Sequence, residues 1–526
     1  METLRKYGSS FLHLNWNIRI FYFGLLLLFI GIPVSRFLIS ISYAFLGLGW
    51  VLTPDHIDRL KKLWSNKVAF FLLIIYAIHL LGLLWSTDLT YGLKDLKTKL
   101  PLLLFPFFYA TMPIIEANWR RFFLNIFSLT CLVSVGIVLA RIVASSNDWW
   151  GIHITDFRDA SIYVSHIRLS LMVVFVFLLV CFKPSELGWN KWLRGISLAP
   201  LLLYLVFMQS MTGIAILIVL FPLLVIYKYK RQKGLLIAVI GVFGLILFLT
   251  YRTMQDNYES FAIEVKDELN LPMKSTRNGN HYIHLDNNSK ENGYFVYRNI
   301  CKKELATAWN QVSTIPFDGD DLRDNKIRFT IYRYMSSKGF PKDGEHVQQL
   351  SELDIEAIQN GVPNYRLLEM NPVEKRLYAL SFEIHQYLNT GIANGHSLTQ
   401  RFEYFKTGVK IFQNNWLIGV GTGDVPDAYS YQYEKDQSPL DEKFRLRSHN
   451  QWLSLLIAFG VLGFSLIGFG FVSPFIWMPQ AKSLSYIIFA LILYASFFTE
   501  DTLETQFGVT LYSGLGGLLL FSRKDT

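Results

Sequence analysis

His449 and Asn450 stand directly before an apolar run that begins at Gln451 and carries Gly460 and Gly463. A histidine there has the pKa to take a proton from a hydroxyl near neutral pH. Arg168 lies just inside another apolar run, "SHIRLSLMVVFVF". Charges at such a boundary are costly and usually face a cavity or a partner. Lys94, Lys97, Lys99 and Arg141 gather at the ends of neighbouring runs, and Arg445 and Arg447 lie just before His449. Guanidinium forks match pairs of phosphate oxygens. A prenyl-anchored sugar diphosphate is the chemical class such a ring suits. Fixed positive charge would hold the diphosphate and stabilise the charge that develops as it leaves. Each residue also has a plainer use. Lys94, Lys97 and Arg141 can anchor helix ends by snorkelling. His449, Arg445 and Arg447 can sit in a solvated loop, and Asn450 can cap the following helix.

The elements that must position these groups read as membrane helices. The chain has 526 residues, 52% hydrophobic and only 17% charged, where soluble chains carry about 25% charged residues. Apolar blocks long enough to cross or nearly cross a bilayer run at about 18–34, 37–53, 68–86, 98–113, 122–143, 167–182, 195–209, 211–227, 234–250, 451–477, 483–499 and 507–522. The sequence therefore predicts an all-α polytopic membrane protein with about twelve transmembrane helices. Its parts are an N-terminal membrane region (1–250), an external loop domain (251–448) and a C-terminal membrane region (449–526). The block 98–113, with Pro101 and Pro106, and the pair split at "MQSMTG" are interrupted spans. No cleavable signal peptide is expected.

Lys and Arg in the short loops set the orientation. With a cytoplasmic N-terminus, inside loops and helix ends hold 19 basic residues and outside ones hold 7, leaving 24 in the segment 251–448. Both termini then lie inside and 251–448 outside. That segment has 24 basic and 27 acidic residues, so the net +9 of the chain is a topology signal. It is no nucleic-acid footprint, which needs a basic stripe on one folded domain. "CKKELATAWNQV", "QLSELDIEAIQNG" and "NPVEKRLYALSFEIHQYL" carry helical periodicity, with a stop at Gly361 and a start at Asn371-Pro372. "NGNHYIHLDNNSKENGYFVYRNI" reads as a hairpin. The cysteines Cys131, Cys181 and Cys301 suggest neither a disulfide framework nor a metal cluster.

No Walker loop, dinucleotide fingerprint, zinc spacing or nucleophile elbow is present. Gly419, Gly421 and Gly423 in "GVGTGDV" follow an amphipathic helix, which favours a tight turn that lets backbone approach a neighbour. Asp424, Asp427, Glu434 and Asp436 could orient His449 or hold a sugar, though solvated loop positions are the commoner fate of acids.

Taken together, "HNQWLSLLIAFGVLG" and the upstream "QRFEYFKTGVKIFQNNWLIGVGTGD" resemble the O-antigen ligase superfamily. The pattern is His-Asn, nine residues, then Gly-x-x-Gly, preceded by an arginine opening a helix and a Gly-x-Gly turn. That superfamily also includes O-antigen polymerases and protein O-oligosaccharyltransferases. The resemblance implies a metal-independent, inverting glycosyltransferase of the bacterial inner membrane, active on the periplasmic face. It implies an undecaprenyl pyrophosphate-linked glycan as donor, lipid A-core as the usual acceptor, and no cofactor. His449 matches the motif histidine as catalytic base. Arg401 matches the loop arginine and Arg168 an arginine at the outer end of a middle span, both for substrate binding. Asn450 and Arg447 are further substrate-binding candidates. The stretch 255–395 is longer than the family pattern requires. A polymerase or a protein glycosylating enzyme would share the donor chemistry. A secondary transporter is the rival of a different class, although charges gathered at one face, with no related halves, speak against it.

Overall fold

The computed structural model describes residues 11–523 except 148, 153, 155, 156, 264 and 286–288. It is 72% helical, with a single two-stranded hairpin among the described residues, so the chain is an all-α membrane protein. Two compact units emerge. The first takes in Phe157–Val239, Gln400–Thr526 and the described chain up to Ile152; the second is Ile240–Thr399. Arg401 and the stretch to Ser448 therefore pack with the membrane helices, whereas the sequence grouped them with the external segment.

Among the described residues, six helices are individually long and apolar enough to cross a bilayer: Trp16–Val34, Lys67–Trp85, Ala117–Ser146, Met211–Tyr229, Lys233–Phe261 and Gln451–Trp477. The block expected at 37–53 is half of a pair, Arg36–Val51 with His56–Ser65, bent by 112°. The 98–113 block divides where Pro101 opens a new helix, giving Leu89–Lys99 and Pro101–Thr111. The helices His166–Phe182, Lys191–Phe207 and Leu484–Ser496 fall short of the length needed for a straight crossing. The last block is interrupted by a π-helical turn at Leu511–Leu515. Sequence hydropathy located these elements but could not count crossings, because short and broken helices share the apolar composition of long ones.

The most informative packing in the first unit is made by glycines. The helix Gln451–Trp477, called here the kinked helix, contains Gly460 at φ 58, ψ −167. That region of backbone space is essentially open to glycine alone. The break frees main-chain groups, and the segment 416–421 takes them up. Val420 and Gly421 donate to the carbonyls of Ile457 and Ala458 at 2.9 and 2.8 Å. Val461 and Leu462 donate back to the carbonyls of Trp416 and Leu417 at 2.8 and 3.2 Å. A Cβ on Gly419 would lie 2.4 Å from backbone atoms of Ala458, and one on Gly460 would lie 2.3 Å from Leu417. On the turn's other side a Cβ on Gly423 would lie 2.2 Å from the Asp88 carbonyl. Asp424 accepts from the backbone N–H groups of Thr87 and Asp88 at 2.8–2.9 Å. The Gly-x-Gly turn and the bend at Gly460 are thus two halves of one backbone joint.

The second unit has its own core, in which Leu305, Trp309, Ile327, Ile331, Tyr334 and Ile358 are fully buried. Its hairpin pairs Lys290–Glu291 with Tyr294–Phe295 around Asn292 and Gly293, both at positive φ as such a turn demands. Gly361 follows the helix Glu352–Gln359 at φ 68, and Asn371 caps Pro372–Thr390 with a capping box, both as the sequence predicted.

Candidate active site

Arg401 sits in the first turns of the helix Ser397–Asn414, the arginine helix. Its Nη2 donates to Glu500 Oε1 at 2.8 Å. Glu500 is only 3% exposed and lies in the loop between the helix Leu484–Ser496 and the short turn Thr502–Glu504. Burial pushes its carboxyl above the ordinary range, against the opposing pull of Arg401 and Arg168. One carboxylate therefore feels both arginines named from sequence. Arg168, half-buried one turn into the helix His166–Phe182, has Ser165 Oγ at 3.4 Å and no carboxylate partner among the described residues.

His449 belongs to the loop that enters the kinked helix. Its backbone stands at φ 49, the left-handed region that a histidine adopts only at some cost. The neighbouring residues explain how that conformation is held. Asn450 Oδ1 accepts from Leu453 N at 2.9 Å, and its Nδ2 donates to the Phe498 carbonyl at 3.1 Å. Gln451 N donates to the Phe497 carbonyl at 2.8 Å, while Gln451 Oε1 accepts from Leu503 N at 2.7 Å. Burial, then Arg401, Arg168 and Arg447, push the imidazole down to about 4 from 6.5. It is therefore neutral at pH 7, in the form that can accept a proton. Tyr404, one turn after Arg401, brings its ring centroid to 5.8 Å from that of His449. Its hydroxyl is buried and lacks a hydrogen-bond partner, a state that costs roughly 1–3 kcal/mol.

A second charge cluster lies beneath the loop. Lys99 is 2% exposed, which corrects its expected place in a ring of surface cations. Its Nζ donates to Asp95 at 2.6 and 2.7 Å and to Glu504 Oε2 at 2.9 Å. Glu504 also accepts from Arg447 Nη1 and Gln451 Nε2, each at 3.2 Å. Burial would raise the Glu504 carboxyl, but Lys99 and Arg447 overcome it and hold it well below the usual range. Arg447 donates as well to the Tyr91 hydroxyl. Two residues expected at substrate, Arg447 and Asn450, are thus already engaged within the fold. Two of the four acids near the motif are engaged too: Asp424 as above, and Asp436 with Lys410 at 3.0 Å.

Sequence reasoning passed over Glu500, Asp501, Glu504 and Tyr404. The signal was there for the acids: "TEDTLET" packs three carboxylates between two apolar blocks, where charge is expensive. Asp501 accepts from Ser454 Oγ at 2.8 Å, and burial beside Glu504 lifts its pKa to about 6.

Residues 361–468 match the family model described as O-Antigen ligase. Arg401, Tyr404, Gly419, His449, Gly460 and Gly463 all fall inside the matched stretch. Over that stretch the chain is similar to the O-antigen ligase superfamily. Members of this family are glycosyl-transferring enzymes. The family match leaves out most of the second unit, which begins at Ile240. No curated protein matches the chain.

Proposed function

We propose that the chain transfers a glycan from undecaprenyl pyrophosphate to lipid A-core, at the periplasmic face of the bacterial inner membrane. The observation that carries this reading is the Arg401–Glu500 pair beside a neutral His449. A buried carboxylate occupies a place where two guanidiniums attract one anion. The diphosphate of the donor is a stronger anion of the same kind. Arg168 and Arg401 hold it, and their fixed charge stabilises it more as it leaves than before. His449 takes the proton from the acceptor hydroxyl. That oxygen attacks the anomeric carbon from the face opposite the diphosphate, the bond to the phosphate oxygen breaks, and the product is inverted. The arginines supply the positive charge that a metal would otherwise bring. An apolar groove of about 610 Å³, lined by residues including Ile30, Val34, Ile126 and Val133, rises to Tyr163, five residues before Arg168. It suits the isoprenoid tail.

A deletion strain tests the assignment. Lipid-linked polymer accumulating beside bare lipid A-core is the expected result. Shortened glycan chains would point to a polymerase instead, and loss of a glycoprotein to a protein O-oligosaccharyltransferase. His449→Ala should reduce transfer by about 10²–10⁴-fold, the worth of positioned proton transfer, with the protein still in the membrane. Purified enzyme should keep its activity in chelator; inhibition reversed by added metal would overturn the charge assignment.

A further inference from the structure

A histidine that works as a base needs one nitrogen free for the incoming proton and the other N–H held by an acceptor, so that the tautomer and ring angle are fixed. The charged groups acting on His449 are Arg401, Arg168 and Arg447. All three are donors without lone pairs and cannot accept an N–H. The carboxylates that follow the helix Leu484–Ser496 are engaged elsewhere, Glu500 with Arg401, Asp501 with Ser454, Glu504 with Lys99, Arg447 and Gln451, and none is among the groups that act on the imidazole. Among the described residues the imidazole makes no hydrogen bond.

Tyr404 is a neighbour whose hydroxyl makes no hydrogen bond among the described residues. It is 2% exposed, so it does not open onto the surface. Its ring is tilted 44° to the imidazole at 5.8 Å between centroids, and its hydroxyl has no partner. The buried Tyr429 hydroxyl is placed otherwise: it lies beside Ser448 and is wedged against Gly408, where a Cβ would meet it at 2.4 Å. A buried phenol and an imidazole, each without a hydrogen bond and side by side, are complementary in what they lack: one offers an oxygen, the other an N–H. A phenol oxygen also suits a site crowded with guanidiniums, since it accepts an N–H without bringing a charge for the arginines to capture.

We infer that Tyr404 is a positioning residue for His449: its hydroxyl oxygen accepts the imidazole N–H in the reacting complex and turns the opposite nitrogen to the acceptor hydroxyl. This rests on His449 acting as the base. The acceptor proton goes to the free imidazole nitrogen, the diphosphate leaves with the electron pair of the broken bond, and the phenolic proton stays on Tyr404.

Tyr404→Phe in the purified full-length chain tests it, with lipid-linked oligosaccharide as donor and a core glycolipid as acceptor. The ring is kept and the lost hydroxyl had no partner, so the unfolding temperature should be unchanged or higher. Turnover should fall by roughly 10- to 100-fold, a part of what positioned proton transfer contributes, while the donor KM stays within about twofold. The phenol oxygen stabilises the imidazolium, so its removal should also move the acid limb of the kcat profile to lower pH. Unchanged turnover and pH profile in Tyr404→Phe, with His449→Ala inactive, would overturn the inference. A raised donor KM at constant kcat would overturn it too, since it would put the phenol on the diphosphate. Normal turnover in His449→Ala would remove the base assignment, and this inference with it.

Discussion

Two clusters of charge lie within the same unit, and they are built on opposite terms. In the deeper one, Asp95 and Glu504 face Lys99 and Arg447, and each of the four side chains is hydrogen-bonded. In the outer one, Arg401 is bonded to Glu500 and Arg168 acts on that carboxylate by charge alone, while among the described residues His449 and Tyr404 keep unused hydrogen-bonding capacity. A buried polar network that is complete in itself organises a fold. One that is left in positive excess is complete only when an anion arrives. The contrast separates residues that build the site from residues that use it, although both sets are charged and both sit near the same loop.

The comparison breaks most visibly at Glu504. Glu504→Ala strands Lys99 and Arg447 without their shared partner, and removing one member of a buried pair costs about 3–5 kcal/mol. Thermal unfolding in detergent should show it, with activity lost together with folded protein; an unchanged transition would mean that the deeper cluster carries no structure. Arg401→Lys acts on the outer cluster and should leave unfolding unaltered. It replaces a fork by a point charge, so kcat/KM should fall roughly 10- to 100-fold, the worth of one hydrogen bond to a charged group. Full activity would mean that only net charge matters there. The smallest effect sharpens the distinction through pH. His449 is held down at about 4, so its neutral form persists as pH falls through 6.5 and is lost only near 4. The kcat/KM profile, which reports the free enzyme, should lack an acid limb near 6.5. A limb there would show that burial and the arginines do not hold His449 down.

Much of the outer cluster was legible in the sequence. His449 and Asn450 announce themselves at the start of an apolar run, and Arg168 stands out because charge inside such a run is rare. The glycines were read as a turn for close backbone approach, which they form, though not as partners of Gly460. The deeper cluster was invisible. Lys99 meets Glu504 across 405 residues and Arg447 meets it across 57, and no local period encodes such pairings. Lys99 reads as a surface cation because it begins an apolar block at the outer face; of the two acids that hold it inward, Asp95 is one turn away but Glu504 lies near the other end of the chain. Tyr404 was hidden for a different reason. An aromatic at helical spacing signals a core, and nothing in a sequence tells a satisfied hydroxyl from an idle one. Apolar composition found the helices, but Pro101 and the bend between Val51 and His56 decide which of them can cross.

The crossing of the turn at Gly419 with the bend at Gly460 is written in main-chain atoms alone. Such a clasp has no preferred vocabulary of side chains: Trp416, Leu417 and Val420 contribute through their N–H and C=O groups, which every residue but proline possesses. Distant chains could therefore drift in almost every letter between these landmarks and keep the clasp intact. A single methyl group at either glycine would pry it open.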